Sequence, residues 1–165
     1  MTADDTTTEP NQLPIARSLD QRRRGALERL GTSHQMWLAT GSDGHGAHLI
    51  PVSFAWNANT LTLTTATLEH SRTAVNLQAT PQARVAIGDT ADVIMIDAIA
   101  TLIPVDAIDP DCADRYARIS QDPRAIPGFV YIQLTPQRIQ VWNGFHEFLG
   151  RTVMINGQWL DQPVD

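Results

Sequence analysis

The hydrophobic positions of this chain change period along its length. From Ser18 to Gly31 they recur three and four residues apart, with Leu19, Ala26, Leu27 and Leu30 on one stripe and Arg23 lending its aliphatic stem. Ser18 and Gln21 stand at capping-box spacing and Gly31 ends the pattern, which predicts a helix. The period then falls to two, predicting strands over Gln35–Gly41, Ala47–Asn57 and Thr60–Thr65. Between them lie Ser42-Asp43-Gly44-His45-Gly46 and Asn57-Ala58-Asn59, sequences that tolerate the positive φ of tight turns. A helix is predicted over Ser71–Ala79, stopping before Pro81.

Two apolar, β-branched segments follow, Arg84–Gly88 and Val93–Ile103. The second is nearly unbroken, which predicts a strand buried on both faces. A third helix opens with Asp109 as N-cap and Pro110 in its first turn, and gathers Ile108, Cys112, Tyr116 and Ile119 on one face. Cys112 therefore reads as a core thiol. Gly128–Leu134 and Gln137–Trp142 are the last long strands, separated by Thr135-Pro136, and the Asn156-Gly157 turn delivers Trp159. Six or seven strands joined by short hairpins, with short helices at crossovers, describe a mainly β protein built as a small antiparallel barrel. Residues 1–14 are polar and read as a disordered, dispensable arm, leaving 15–165 as a single domain.

Composition narrows the function classes. A net charge of −6 argues against a nucleic-acid partner. The single cysteine excludes an internal disulfide and a cysteine-built zinc cage, and fits a reducing cytoplasm. No apolar run is long enough for a membrane helix, and no signal peptide is visible. His45 and His48 lack a third ligand nearby, so no metal site is expected. Ser53 has no evident base beside it in sequence, and no nucleophile elbow or zincin motif occurs.

Two stretches carry candidate chemistry. In the first, the strand ending at Thr65 leads through Ala66 and Thr67 to Ser71 and Arg72 at a helix start. Hydroxyls, a guanidinium and the positive end of a helix dipole at one turn suit a phosphate group. In the second, Arg138, Gln140 and Trp142 share one strand face and Arg151 follows on a return loop. An indole and a guanidinium there suit a flat anionic ligand.

Four pieces in order resemble the pyridoxamine 5′-phosphate oxidase-like, FMN-binding split-barrel superfamily over roughly residues 21 to 160. They are the opening helix with Trp37-Leu38-Ala39-Thr40, the strand His48–Phe54, the run Glu69-His70-Ser71-Arg72-Thr73-Ala74, and Arg138–Trp142 with Arg151. The resemblance implies a split β-barrel homodimer with a cofactor at the subunit interface and a small-molecule substrate. Val52 and Ser53 would offer backbone to the ring, Thr65, Ser71 and Arg72 would hold the phosphate, and Trp142 and Arg151 would close the site. The implied cofactor is FMN, with the deazaflavin coenzyme F-420 as the alternative. The implied activity is an oxidoreductase or, failing that, a flavin or haem binder or sensor. Two departures argue against a vitamin B6 enzyme. Thr73 stands where the oxidases carry a lysine, and Glu147-Phe148-Leu149-Gly150 replaces their Arg-x-His, with Glu147 expected to repel a substrate phosphate.

Overall fold

A computed structural model of the protein describes residues 14–44 and 46–164; the arm expected over 1–14 lies, apart from Pro14, outside them, as does His45. The elements are α1 (Leu19–Thr32), β1 (Gln35–Ser42), β2 (Gly46–Ser53), β3 (Ala55–Asn57), β4 (Thr62–Leu68), α2 (Arg72–Ala79), β5 (Gln82–Gly88), β6 (Asp92–Pro104), α3 (Pro110–Ala117), β7 (Phe129–Asn143), β8 (Thr152–Ile155) and β9 (Gln158–Trp159). The strands run in the order β2-β1-β5-β6-β7-β4-β3, with β8 and β9 added beside β7. Adjacent strands pair antiparallel throughout.

The two ends of that order, β2 and β3, are consecutive in the chain with Phe54 alone between them. The sheet must therefore curl until its ends meet, which makes a split barrel. Phe54 marks the seam: its ring is fully buried and its N–H donates to the His34 carbonyl at 3.0 Å. Leu38, Leu63, Val85, Ile96, Ile132 and Ile139 fill the interior. Each such side chain contributes about 1.5–3 kcal/mol by leaving water. A smaller cluster lies outside the curl, where Ile108, Cys112 and Tyr116 of the α3 region cover Ala55 and Tyr131.

Four expectations are corrected. In α1 the buried arginine is Arg22, in line with Ala26 and Leu30, while Arg23 flanks the helix with its guanidinium 5.9 Å from the Trp159 ring. β4 starts later and runs further than Thr60–Thr65. Leu61 takes φ +53° and belongs to the turn, whereas Ala66, Thr67 and Leu68 keep pairing with Tyr131, Val130 and Phe129. The last two long strands are one, the 15-residue β7. Its register slips at Gln137, since Asp97 faces Arg138 and Ala98 faces Pro136. Pro136 fits there because β4 has left the ladder at Leu134 and β8 joins only at Arg138, so its missing N–H falls in a gap between partners. Finally, β6 is not buried on both faces in this chain: Val93, Ile96 and Ala98 are buried, but Ile99 and Thr101 face outward, exposed.

Candidate functional site

The first half of the predicted site stands at the end of β4. The ladder with β7 holds Thr65 opposite Ile132 and Thr67 opposite Val130. After Leu68 the chain turns tightly, with Glu69 N–H donating to the Gly128 carbonyl at 2.8 Å and Ser71 N–H to the Leu68 carbonyl at 2.9 Å. Ser71 then caps α2, its hydroxyl accepting from Ala74 N–H at 3.2 Å and lying 2.9 Å from the Thr67 hydroxyl. Arg72 opens the helix with an exposed side chain. The other face of α2 is anchored on β1, where Asn76 donates to the Thr40 hydroxyl at 3.2 Å and accepts from the Ser42 hydroxyl at 2.9 Å. The result is a cup of two hydroxyls at a helix start whose first residue is Arg72, fixed from below by sheet and from the side by β1.

Thr65 lies one step deeper. Its side chain is fully buried and its Oγ1 finds no hydrogen-bond partner. A buried hydroxyl without a partner is costly unless a further group completes it, so this orphan fits a ligand at the cup, as do the chemistry of Thr67, Ser71 and Arg72. Val52 and Ser53 sit at the seam. Val52 packs against the core from β2, and the Ser53 hydroxyl accepts from the Gln35 amide at 3.0 Å. Ala55, two residues beyond Ser53, pairs with Thr64. The seam thus joins the strand of Val52 and Ser53 to β3, which pairs with the β4 that carries Thr65.

The second half lies elsewhere. Trp142 faces outward near the end of β7, opposite Val93. Arg151 packs its guanidinium 6.0 Å from the Trp142 ring and 4.6 Å from that of Phe148, and donates to the Phe148 carbonyl at 2.8 Å. The Gln140 amide oxygen, turned toward the guanidinium groups, accepts from Arg138 at 2.9 Å and Arg151 at 3.2 Å. Between Thr65, opposite Ile132, and Trp142 run ten residues of β7, about 30 Å at a strand rise of ~3.3 Å. One chain does not bring the two predicted halves together.

Glu147 does not face a ligand, contrary to expectation. It is 1% exposed on a short 3₁₀ turn, Phe145–Glu147. Its carboxylate accepts from Arg17 N–H and Nε at 2.8 Å each, from Arg17 Nη2 at 2.7 Å and from Asn143 N–H at 2.7 Å. Burial by itself would push this carboxyl up, but the bonds from Arg17 and Asn143 outweigh it and hold it at about 2. A second arginine braces the same loop, as buried Arg22 donates to the Leu149 carbonyl at 3.0 Å. Arg29 and Arg17 pair in turn with Asp92 at the start of β6.

Sequence reasoning missed Thr67 as a hydroxyl partner, although its period-two spacing from Thr65 is the strand signal that places both on one face. It also missed Phe148 and the arginines that set the loop. Cys112 is buried as expected, and burial pushes its thiol up against a hydrogen bond from Asn57 that lowers it. Burial likewise pushes the Tyr131 phenol up, to about 12. Among the described residues no three of His, Cys, Asp and Glu gather as a metal set, and no helix is long and apolar enough to cross a membrane.

Comparison with known proteins agrees with this architecture. The family model of pyridoxamine 5′-phosphate oxidase matches residues 25–143. No curated protein matches the chain. Among solved structures, a candidate pyridoxamine 5′-phosphate oxidase from Listeria innocua is 22% identical, with a TM-score of 0.60 over 73% of this chain and 98% of its own. HutZ, the haem storage protein of Vibrio cholerae, is 17% identical, with a TM-score of 0.59 over 76% and 99%. An FAD-binding protein from Mesorhizobium loti is 14% identical, with a TM-score of 0.58 over 71% and 89%. The chain belongs to the pyridoxamine 5′-phosphate oxidase family.

Proposed function

We propose that this member of the family is a homodimeric, flavin-type oxidoreductase that acts on a small organic substrate other than pyridoxamine phosphate. FMN is the cofactor proposed, with the deazaflavin coenzyme F-420 as the alternative. The observation that carries the reading is the cup at the end of β4. There the Thr67 and Ser71 hydroxyls lie 2.9 Å apart at the start of α2, beside Arg72 and above the unpartnered Thr65 hydroxyl. Free N–H groups, the helix dipole and a guanidinium favour a phosphate monoester, which carries nearly two negative charges at neutral pH. A bound flavin supplies the hydride chemistry. The chain's residues position it: the Val52–Ser53 backbone lies along the ring, and Thr65, Ser71 and Arg72 hold the phosphate.

Trp142 and Arg151 enter from a second copy. This follows from the ~30 Å of strand between the halves within one chain, which a twofold axis can bridge by exchanging ends. The outer face of the sheet supports the same reading. Trp37, Leu49 and Ile99 are exposed there, around a groove of about 440 Å³ lined by Ala39, Arg84, Asp97, Ile99 and Gln137. A near-unbroken apolar run in β6 makes sense if a partner covers that face.

Titration of the full chain with FMN, coenzyme F-420 and haem, followed by absorbance and calorimetry, tests the reading. Micromolar or tighter binding of one flavin, weakened in Arg72→Ala, is expected. Haem alone binding would replace the redox reading with storage or sensing, as the neighbour from Vibrio cholerae is a haem storage protein. No binding of any of the three would overturn it.

A further inference from the structure

The twelve cationic side chains of this acidic chain are all arginines, and their pairing is uneven. Arg17, Arg24, Arg29, Arg84 and Arg124 pair with carboxylates. Arg22 and Arg151 donate to carbonyls, Arg138 to the Gln140 amide, Arg23 lies near the Trp159 ring, and Arg72 is engaged too. Among the described residues, only Arg115 and Arg118 make no ion pair, hydrogen bond or ring contact. Both line the same cavity, of about 280 Å³, between the end of α1, the end of α3 and β3.

Leu30, Trp56 and Ile119 supply apolar lining there, and His34 joins the two arginines. No carboxylate lines the cavity. Asp111 and Asp114 stand four residues before Arg115 and Arg118 without pairing to them, and Asp114 is held by Arg124 at 2.8 Å. Glu28 of α1 is exposed and also outside the lining. The walls are fixed: Trp56 packs against the core, the His34 carbonyl accepts from Phe54 N–H at 3.0 Å, and Ile119 N–H donates to the Tyr116 carbonyl at 3.0 Å. A preformed site loses little entropy on binding. Charge then selects the ligand. The last turns of α1 and α3 both border the cavity, and each helix C-terminus carries about half a negative charge. Set against two guanidinium groups, they leave about one positive charge, which suits a monoanion better than a phosphate dianion. A guanidinium fork matches a carboxylate, and an indole suits a flat apolar body. The volume falls just below the ~300–1,000 Å³ of drug-sized sites, so the body is small.

We propose that the cavity between α1, α3 and β3 binds a small organic monocarboxylate, its carboxylate on Arg115 and Arg118 and its apolar body against Trp56. The site goes beyond the flavin reading and uses none of the residues assigned to the flavin.

Benzoate is the probe, titrated calorimetrically into the full chain without added flavin. A Kd of about 1 mM or tighter is expected, with a change in tryptophan emission that Trp56→Phe abolishes. Arg115→Ala/Arg118→Ala changes only exposed positions, so folding is retained, and benzoate affinity should fall about 10-fold or more. Arg118→Lys should lie between, keeping the charge but not the fork. Arg72→Ala should bind benzoate as wild type does, so this outcome and that of the flavin titration are independent. In that Arg72→Ala chain, phenyl phosphate should bind more weakly than benzoate. No saturation at tens of millimolar, equal binding of neutral benzamide, tighter binding of phenyl phosphate in Arg72→Ala, or wild-type affinity in the double variant would each overturn the proposal.

Discussion

The two ends of β7 present the same sheet to solvent in opposite ways. At the β4 end, short polar side chains on a strand and a helix cap make a cup whose side-chain hydroxyl contacts are local, Thr67 to Ser71 spanning four residues and Ser71 to Ala74 three, while the sheet and β1 hold it from outside. At the β8 end, aromatic side chains stand out from a loop that is shaped by contacts across the chain, with Arg17 and Glu147 130 residues apart and Arg22 and Leu149 127 apart. A site built from backbone geometry tolerates loss of one side chain. A loop held by a buried ion pair does not, because the remaining charge is stranded.

That contrast is broken most directly at Arg17. Arg17→Ala removes the guanidinium and leaves the Glu147 carboxylate buried with only the backbone N–H groups of residues 17 and 143 from this network, and should destabilise the protein by about 3 kcal/mol. Chemical unfolding measures this, and the emission of the tryptophans, Trp142 next to the loop among them, should change in the folded state. A cost under about 0.5 kcal/mol would show that the loop does not depend on the pair.

Acid acts on the same pair more gradually. The Glu147 carboxyl sits at about 2 when folded, against an ordinary 4.5. A depressed carboxylate gives its full stability above the unfolded value and loses it as pH falls through the folded one. Wild type should therefore lose up to about 3 kcal/mol relative to Glu147→Gln between pH ~5 and pH ~2. The difference between the two proteins isolates this group from Asp89 and Asp122, which are also held low by hydrogen bonds. Parallel curves for the two would exclude Glu147 as the source of the acid sensitivity.

The cup should respond in affinity rather than stability. Arg72 is exposed, so Arg72→Ala should leave unfolding within about 1 kcal/mol of wild type. FMN binding should weaken by about 30-fold, the low end of what loss of a charge partner costs. Arg72→Lys should fall between, keeping charge but not the fork. Unchanged affinity for FMN and for the deazaflavin in Arg72→Ala would remove the phosphate assignment.

The same division decides what was legible in the sequence. Helices were readable because Ser18 and Asp109 announce them by local capping, and each caps where expected, while the helix expected over Ser71–Ala79 starts at Arg72 with Ser71 as its cap. An antiparallel barrel was readable from hairpin spacing, and the split-barrel class from the family resemblance carried by runs such as Glu69–Ala74. Strand ends were not, where tertiary pairing overrode local signals. Thr65-Ala66-Thr67 reads as a loop but is carried to Leu68 by its ladder with β7, and Pro136 reads as a break but sits in a bulge that a neighbouring gap permits. Glu147 was misread for the same reason. Its sequence neighbours say nothing of Arg17, so a structural carboxylate looked like one facing a ligand.

Ser71 carries both roles at once, and the smallest predicted effect separates them. Its hydroxyl caps α2 through Ala74 N–H and also meets the Thr67 hydroxyl. Ser71→Ala should therefore cost about 1 kcal/mol of stability through the lost cap and also weaken flavin binding. Thr67→Val removes the other hydroxyl but leaves the cap intact and keeps the β-branched shape that a strand favours. Its stability should change by less than about 0.5 kcal/mol, so any loss of affinity belongs to the ligand. One net hydrogen bond is worth about 0.5–1.5 kcal/mol, or up to about 3 kcal/mol when it meets a charged group. Calorimetric titration of Thr67→Val should therefore show flavin affinity reduced several-fold, with unfolding unchanged. If affinity holds while Ser71→Ala binds poorly, the helix cap alone shapes the cup and the Thr67 hydroxyl only supports it.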